Sequence, residues 1–280
     1  MVEMRKPGML LTLVPPVLAL VASGLVHAHA LACGPYRVGL KPYPQIYDRH
    51  GQEVGANRDQ EGAGLDREFF TLLAARSGCA FVYELESQPR VWVRLREGSL
   101  DITSWAIPTE ERLRHVTIVP LLTVRPMAYT WASAGVSTPR AFLARQELRA
   151  VVVKGSSYGP GFDAMLGTLA ASARVSAVAD VDAATRVFMA HRVDLIVTYP
   201  WVMARQLRAM PGKIEVADWH PDGPTIHSGL ALSHRTVSAQ DQARLLDALS
   251  TLQKDGTLKR LVDRYLPNSG VGFAPVLRAH

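Results

Sequence analysis

The sequence is poor in cysteine, with two in 280 residues, and poor in long apolar stretches. So few cysteines exclude a small disulfide scaffold. Only residues 9–26 are apolar over a length that matters to a membrane, which excludes a polytopic membrane protein. Charge of one sign is scarce as well: 31 Lys and Arg stand against 25 Asp and Glu, and the basic residues are scattered as single arginines. That is not the stripe that tracks a nucleic-acid backbone, so no nucleic-acid partner is expected. What is present is core material. With 48% apolar and 20% charged residues, a disordered tail and a collagen-like fibre are excluded, and one large or two medium cores can form.

The first 30 residues have a basic start (Arg5, Lys6), the apolar stretch 9–26 and the small-residue triplet Ala28-His29-Ala30. This is the layout of a signal peptide cut after Ala30, and the expected destination is the periplasm. A membrane anchor would use the same stretch, but Pro15-Pro16 and the early small-residue exit oppose a stable span. A lipoprotein would use Cys33, but Ala30 stands where the lipid-attachment motif carries a large aliphatic residue. An exported protein meets no genome, so the modest net charge of +6 favours anionic small ligands or surfaces. Cys33 and Cys79 both survive cleavage into an oxidising compartment. Each sits just before an apolar run, 36–40 and 80–83. If those runs are neighbouring parallel strands joined by one helix, their starting ends lie side by side. A Cys33–Cys79 disulfide is therefore expected, two separate thiols being the alternative.

Patterning alternates along the chain. Strand signals at 36–40, 80–85 and 100–103 are separated by helical periodicity at about 65–76 and 90–97, each helix closed by a glycine, Gly78 and Gly98. A polar loop with turn residues (Pro42, Pro44, His50-Gly51, Gly55, Gly62, Gly64) follows the first strand, and 116–131 reads as one long extended segment. The pattern restarts with helices at 139–145, 160–173, 182–190 and 201–209 and strands at 151–153, 174–179, 193–197 and 214–217. Helices at about 238–254 and 257–265 follow, and the last dozen residues read as a loose tail. Such alternation marks α/β structure with parallel sheets, here in two sets. Ligands of open α/β sheets gather where strands run into helices, so the residues just after Leu40, Tyr83, Thr103, Val153 and Val197 are the ones to inspect.

Several segments resemble the extracellular solute-binding proteins of family 3, the periplasmic receptors of polar amino-acid ABC transporters. They are Tyr36-Arg37-Val38-Gly39-Leu40, Gly64-Leu65-Asp66-Arg67-Glu68-Phe69, Gly98-Ser99-Leu100-Asp101-Ile102 and Thr109-Glu110-Glu111-Arg112, the last a T-x-x-R pattern. Val151-Val152-Val153-Lys154-Gly155-Ser156, Arg192-Val193-Asp194-Leu195-Ile196 and Leu252-Gln253-Lys254-Asp255-Gly256-Thr257 complete the series. The resemblance spans about 36–267. It implies a type II periplasmic-binding-protein fold: two mainly parallel sheets joined by a two-strand hinge, with one discontinuous lobe near 31–124 and 226–280 and the other near 125–225. It implies a monomer that carries a small carboxylate ligand to an ABC permease. It also implies that Arg112 grips that carboxylate, as a planar guanidinium fork can, and that the turn Gly155-Ser156-Ser157 meets it with free N–H groups.

The departures from the pattern are informative. Receptors of α-amino acids place an Asp after the R-x-D-apolar strand to hold the ligand ammonium, and here that position is Tyr199, followed by Pro200-Trp201. An organic acid, an aromatic acid or another small anion fits better than a standard α-amino acid. Tyr43, Tyr47, Arg90, Trp105, Ile107, Tyr158, Tyr199 and Trp201 fall on the loops expected to face the cleft, where aromatics can sandwich a flat apolar body. Rival chemistries exist. Gly155-Ser156-Ser157-Tyr158-Gly159 is a G-x-S-x-G string between a strand and a helix, as in a serine esterase using Ser157, with Asp194 or Asp218 and His220 or His227 behind it. A cyclohexadienyl-dehydratase-like enzyme would need an acid or base where Tyr199 stands. An accessory periplasmic role is a third alternative. No histidine pair has metal-ligand spacing and no dinucleotide or P-loop motif occurs, so no metal and no cofactor are expected.

Overall fold

The computed structural model describes Met1 and residues 33–48, 63–267 and 269–276. Residues 2–30 of the expected signal peptide and the turn residues His50-Gly51, Gly55 and Gly62 lie outside the described residues, whereas Cys33, the residue of the lipid-attachment alternative, is described and is joined to Cys79. Strand β1 (Cys33–Leu40) is followed by α1 (Leu65–Ser77), β2 (Cys79–Leu85), α2 (Gln88–Glu97), β3 (Ile102–Ala106), α3 (Glu110–Leu113) and β4 (Val116–Val124). Then come β5 (Met127–Trp131), α4 (Pro139–Ala144), β6 (Ala150–Val153), α5 (Pro160–Ala171), β7 (Val175–Val178), α6 (Val181–Met189), β8 (Leu195–Thr198), α7 (Pro200–Ala209) and β9 (Ile214–Ala217). The chain continues through β10 (Ile226–Ser233), α8 (Ala239–Lys254), α9 (Thr257–Tyr265) and β11 (Gly272–Phe273).

These strands form two sheets, in the orders β11-β4-β10-β3-β1-β2 and β7-β6-β8-β5-β9. Parallel pairing, as the alternation predicts, joins β1 to β2 and β3, and β6 to β7 and β8. Antiparallel pairs complete each sheet, so both are mixed and not mainly parallel: β10 lies between β3 and β4, and β5 lies between β8 and β9. The extended segment 116–131 is two strands in different sheets, broken at Arg125-Pro126, where proline has no N–H to continue a ladder. Strand β10 was not marked by any strand signal, and residues 272–273 of the expected loose tail pair with Thr123 and Leu122 of β4. Ala274, just beyond, is buried.

Local chemistry accounts for the ends of the elements. Helices α1 and α2 stop at Gly78 and Gly98, whose left-handed φ of 68° and 76° returns their N–H groups to the last turn. Thr138, Asp180 and Ser238 cap α4, α6 and α8 by accepting from the N–H three residues on. The β1–β2 register pairs Cys33 with Cys79, and the expected disulfide joins them at the starts of the two strands. The first sheet packs α1, α8 and α9 through Leu65, Phe69, Phe70, Leu73, Leu245, Leu249 and Leu261. The second sheet is covered on both faces. Leu195 and Val197 of β8 meet Phe142, Phe162 and Leu169, while Ile196 meets Tyr129, Phe188 and Met203, the alternation of a doubly buried strand. Among the described residues, no helix is long and apolar enough to cross a membrane.

Candidate functional site

A cleft is lined by residues of both sheets. The strand-to-helix loops supply its walls: Lys41 and Tyr43 after β1, Gln88 after β2, Trp105 and Ile107 from β3, Ser156, Ser157 and Tyr158 after β6, and Thr198, Tyr199 and Trp201 after β8. Leu122, Val124 and Ser228, from the central strands β4 and β10, also line it. Of the residues singled out in the sequence, Arg112, Tyr43, Trp105, Ile107, Ser156, Ser157, Tyr158, Tyr199 and Trp201 come together here. Two do not. Tyr47 is buried in the core of the first sheet, and Ile46 lines the cleft in its stead. Arg90 lies on α2 with 69% of its side chain exposed, paired to Glu86 at 3.2 Å, and is not part of the cleft wall.

The T-x-x-R pattern has a local cause. Thr109 caps the four-residue helix α3 by accepting from the N–H of Arg112, which fixes the direction in which the arginine leaves the backbone. Arg112 is 9% exposed, and its guanidinium lies over the Trp92 ring at 4.0 Å. It donates from Nη1 to the Ile107 carbonyl at 2.6 Å and from Nη2 to the Gly155 carbonyl at 2.8 Å, so it touches loops of both sheets. Loss of solvent pulls its pKa down to about 10, with Asp163 and Glu111 opposing the shift from a distance. No ion pair involves Arg112 among the described residues.

Beside it the 155–159 turn is already engaged. Ser157 Oγ donates to Asp163 Oδ2 at 2.5 Å, the Tyr158 N–H donates to Asp163 Oδ1 at 2.8 Å, and the Ser156 N–H donates to the Val153 carbonyl at 3.1 Å. An internal carboxylate from the first turn of α5 thus holds groups expected to meet a ligand carboxylate. The partner of Ser157 is that carboxylate and not an imidazole; His220 instead stands edge-on to Phe162. Gly155, at φ 78°, sits 3.2 Å from Pro89 of α2 measured from where a Cβ would stand, so the two walls meet backbone to backbone at this point.

Three further polar residues belong to the site: Lys41 and Thr198 stand at two of the strand ends marked for inspection, just after Leu40 and Val197, and Asp66 lies in one of the segments that carry the resemblance. Lys41 lies deep in the protein yet keeps part of its surface on the cleft. Its Nζ donates to Thr103 Oγ1 at 2.7 Å and the Ser104 carbonyl at 2.8 Å. Desolvation lowers its pKa to about 8, Asp66 opposing and Arg112 adding to the shift. Asp66 is fully buried behind this wall, accepting from Ser104 Oγ at 2.6 Å and Trp105 Nε1 at 2.5 Å, and burial raises its pKa to about 6. That bond holds Trp105 in a left-handed conformation, φ 52°, which is strained for an aromatic residue. Thr198 is the third, at the mouth of β8.

The aromatic lining is extensive. Tyr199 and Trp201 stack at 4.7 Å with their planes 4° apart, and Trp105 packs on Phe69. Burial raises the phenol pKa values of Tyr43 and Tyr199 well above the ordinary tyrosine value, and that of Tyr158 to about 12, so all three stay neutral donors. Lys41 and Arg112 are the cations among the described residues lining the cleft, and no Asp or Glu lines it. No group of three or more His, Cys, Asp or Glu that could hold a metal occurs among the described residues.

No family model matches the chain, and no curated protein matches it in sequence. Solved structures do resemble it. Tv2483 bound to L-arginine shares 19% identity at a TM-score of 0.66, covering 87% of this chain and 94% of that one. A histidine kinase sensor domain described as similar to periplasmic binding proteins shares 16% at 0.66, covering 87% and 99%. A substrate-binding protein of a Streptococcus pneumoniae ABC uptake transporter, with bound histidine, shares 16% at 0.63, covering 84% and 93%. These neighbours are binding proteins and sensors in which the same two-sheet arrangement recurs. The chain has the type II periplasmic-binding-protein fold.

Proposed function

We propose that the chain is an exported solute-binding protein that captures a small carboxylate in the cleft between its two sheets and presents it to an ABC permease. On this reading residues 1–30 direct export to the periplasm. Residues 31–124 and 226–280 form one lobe, 125–225 form the other, and a monomer is the working unit. The observation that carries the reading is the composition of the cleft: two cations, five aromatics and several hydroxyls, with no carboxylate among the described lining residues. A zwitterionic amino acid entering it would bury an ammonium with no charged partner, at a cost of several kcal/mol. A carboxylate on an apolar or aromatic body meets the Arg112 fork and the stacked rings instead. Ligand contacts to both walls favour the closed arrangement, which excludes water and strengthens each polar contact.

A thermal-shift screen of the exported chain against amino acids and organic acids tests this. A ligand that binds only the folded state stabilises it by about 2.7 kcal/mol at a hundred times its dissociation constant. Acids lacking an ammonium are expected to raise the melting temperature, and α-amino acids are not. Stabilisation by amino acids alone, or turnover of a stabilising acid, would overturn the reading.

A further inference from the structure

We infer that the cleft is built for a ligand with two acidic groups on one small, largely apolar body, one group held by Arg112 and the other by Lys41. This rests on the carboxylate reading above and narrows it. Both cations line the same cleft, and neither forms an ion pair among the described residues. Two of the three Lys41 ammonium protons go to neutral oxygens, Thr103 Oγ1 and the Ser104 carbonyl. Asp66, the carboxylate whose charge acts on Lys41, is behind the wall and does not line the cleft; its Oδ1 is taken by Ser104 and Trp105. A lysine that served only the protein would be expected to reach that carboxylate. This one reaches along the cleft wall and leaves part of its surface open to the ligand space.

Spacing sets the size of the guest. Lys41 is anchored at Ser104 O and Arg112 at Ile107 O, three residues apart on one stretch of backbone. An extended chain would separate those anchors by about 10 Å at most, and the left-handed turn at Trp105 shortens the span. Between them Trp105 presents its indole to the cleft. Two cations flanking an aromatic wall at this separation match a benzene dicarboxylate or a four- to six-carbon diacid. One carboxylate shared by both cations would leave that wall without a guest.

Titration calorimetry of the exported chain with matched acids decides the matter: benzoate against isophthalate and terephthalate, butyrate and hexanoate against succinate and adipate, and phenylalanine as a zwitterion. At least one diacid is expected to bind tenfold or more tightly than its monoacid. Lys41→Met should erase that preference by weakening the diacid at least tenfold more than its monoacid, and Lys41→Arg should keep it. Melting curves of both variants establish that they fold, and the mono- against diacid comparison on the unaltered chain decides even if Lys41→Met does not. Equal affinity for the two classes, or equal losses for both on Lys41→Met, overturns the second acidic group and leaves the carboxylate reading standing. Binding of phenylalanine with no acid bound, or of nothing in the panel, overturns both.

Discussion

Replacing Arg112 by Met separates what the guanidinium does for the ligand from what it does for the fold. Its pKa is lowered from 12.5 to about 10, so holding the charge in the folded chain costs about 3 kcal/mol at 1.4 kcal/mol per pKa unit. Against this stand two charge-assisted hydrogen bonds, to Ile107 O and Gly155 O, each contributing about 1.5–3 kcal/mol. The two contributions largely offset one another, and the Met side chain keeps most of the packing on Trp92. Stability of the ligand-free protein should therefore fall by no more than about 3 kcal/mol. Ligand affinity should fall by about 2–5 kcal/mol, or roughly 30- to 4,000-fold, because a desolvated carboxylate loses its partner. Urea denaturation of the free protein and calorimetric titration with the best acid of the screen measure the two separately. A stability loss above about 4 kcal/mol with unchanged affinity would show that Arg112 is a structural clamp and would refute its assignment to the ligand.

Other predictions follow from the same geometry. Converting Cys33 and Cys79 to Ser opens a loop closed over a sequence separation of 46 and should cost about 4 kcal/mol in denaturation experiments; a loss under 1 kcal/mol would contradict the chain-entropy argument. Ser157→Ala removes the bond to Asp163 and should cost about 1–2 kcal/mol of stability with less than a tenfold change in ligand affinity, measured by melting and titration. Asp66 has a folded pKa of about 6, above its unfolded value, so its contribution to stability is complete below pH 4 and is lost as pH rises through 6. Asp66→Asn should accordingly gain melting temperature relative to the parent between pH 4 and 6, with a constant difference above; parallel curves would count against a buried, strained carboxylate.

How much of this was legible in the sequence depends on the range of the forces involved. The β1–β2 pairing and the disulfide were readable because strand, helix and strand are adjacent in sequence, so the cysteines share one register position. Thr109 and Arg112 were readable because a cap and its helix are a four-residue device. Strand β10 was not, since its place is set by pairing with β4, whose residues lie far away in the chain. Lys41 was legible as a position, at a strand end marked for inspection, but not as a deep cation, because the oxygens that hold it, Thr103 Oγ1 and Ser104 O, lie more than sixty residues away. Arg90 fell on the correct loop but on the outer side of α2, where Glu86 holds it. Tyr47 belongs to a tight turn, closed by its pairing with Tyr43, that sends it into the core.

The neighbouring positions of β5 and β9 bear on how the chain assembles. Val124 pairs with Ile226, and the segment between them enters its own sheet at Met127 and leaves it at Ala217, with Ala128 and Ala217 side by side. Closing an unstructured loop of roughly 100 residues to bring β4 against β10 would cost about 4 kcal/mol of chain entropy. Once the inner segment has collapsed on itself, its two ends are already neighbours and most of that cost is gone. The sheet that holds β1 to β4 stays incomplete until β10, about a hundred residues beyond the end of β4, pairs between β3 and β4.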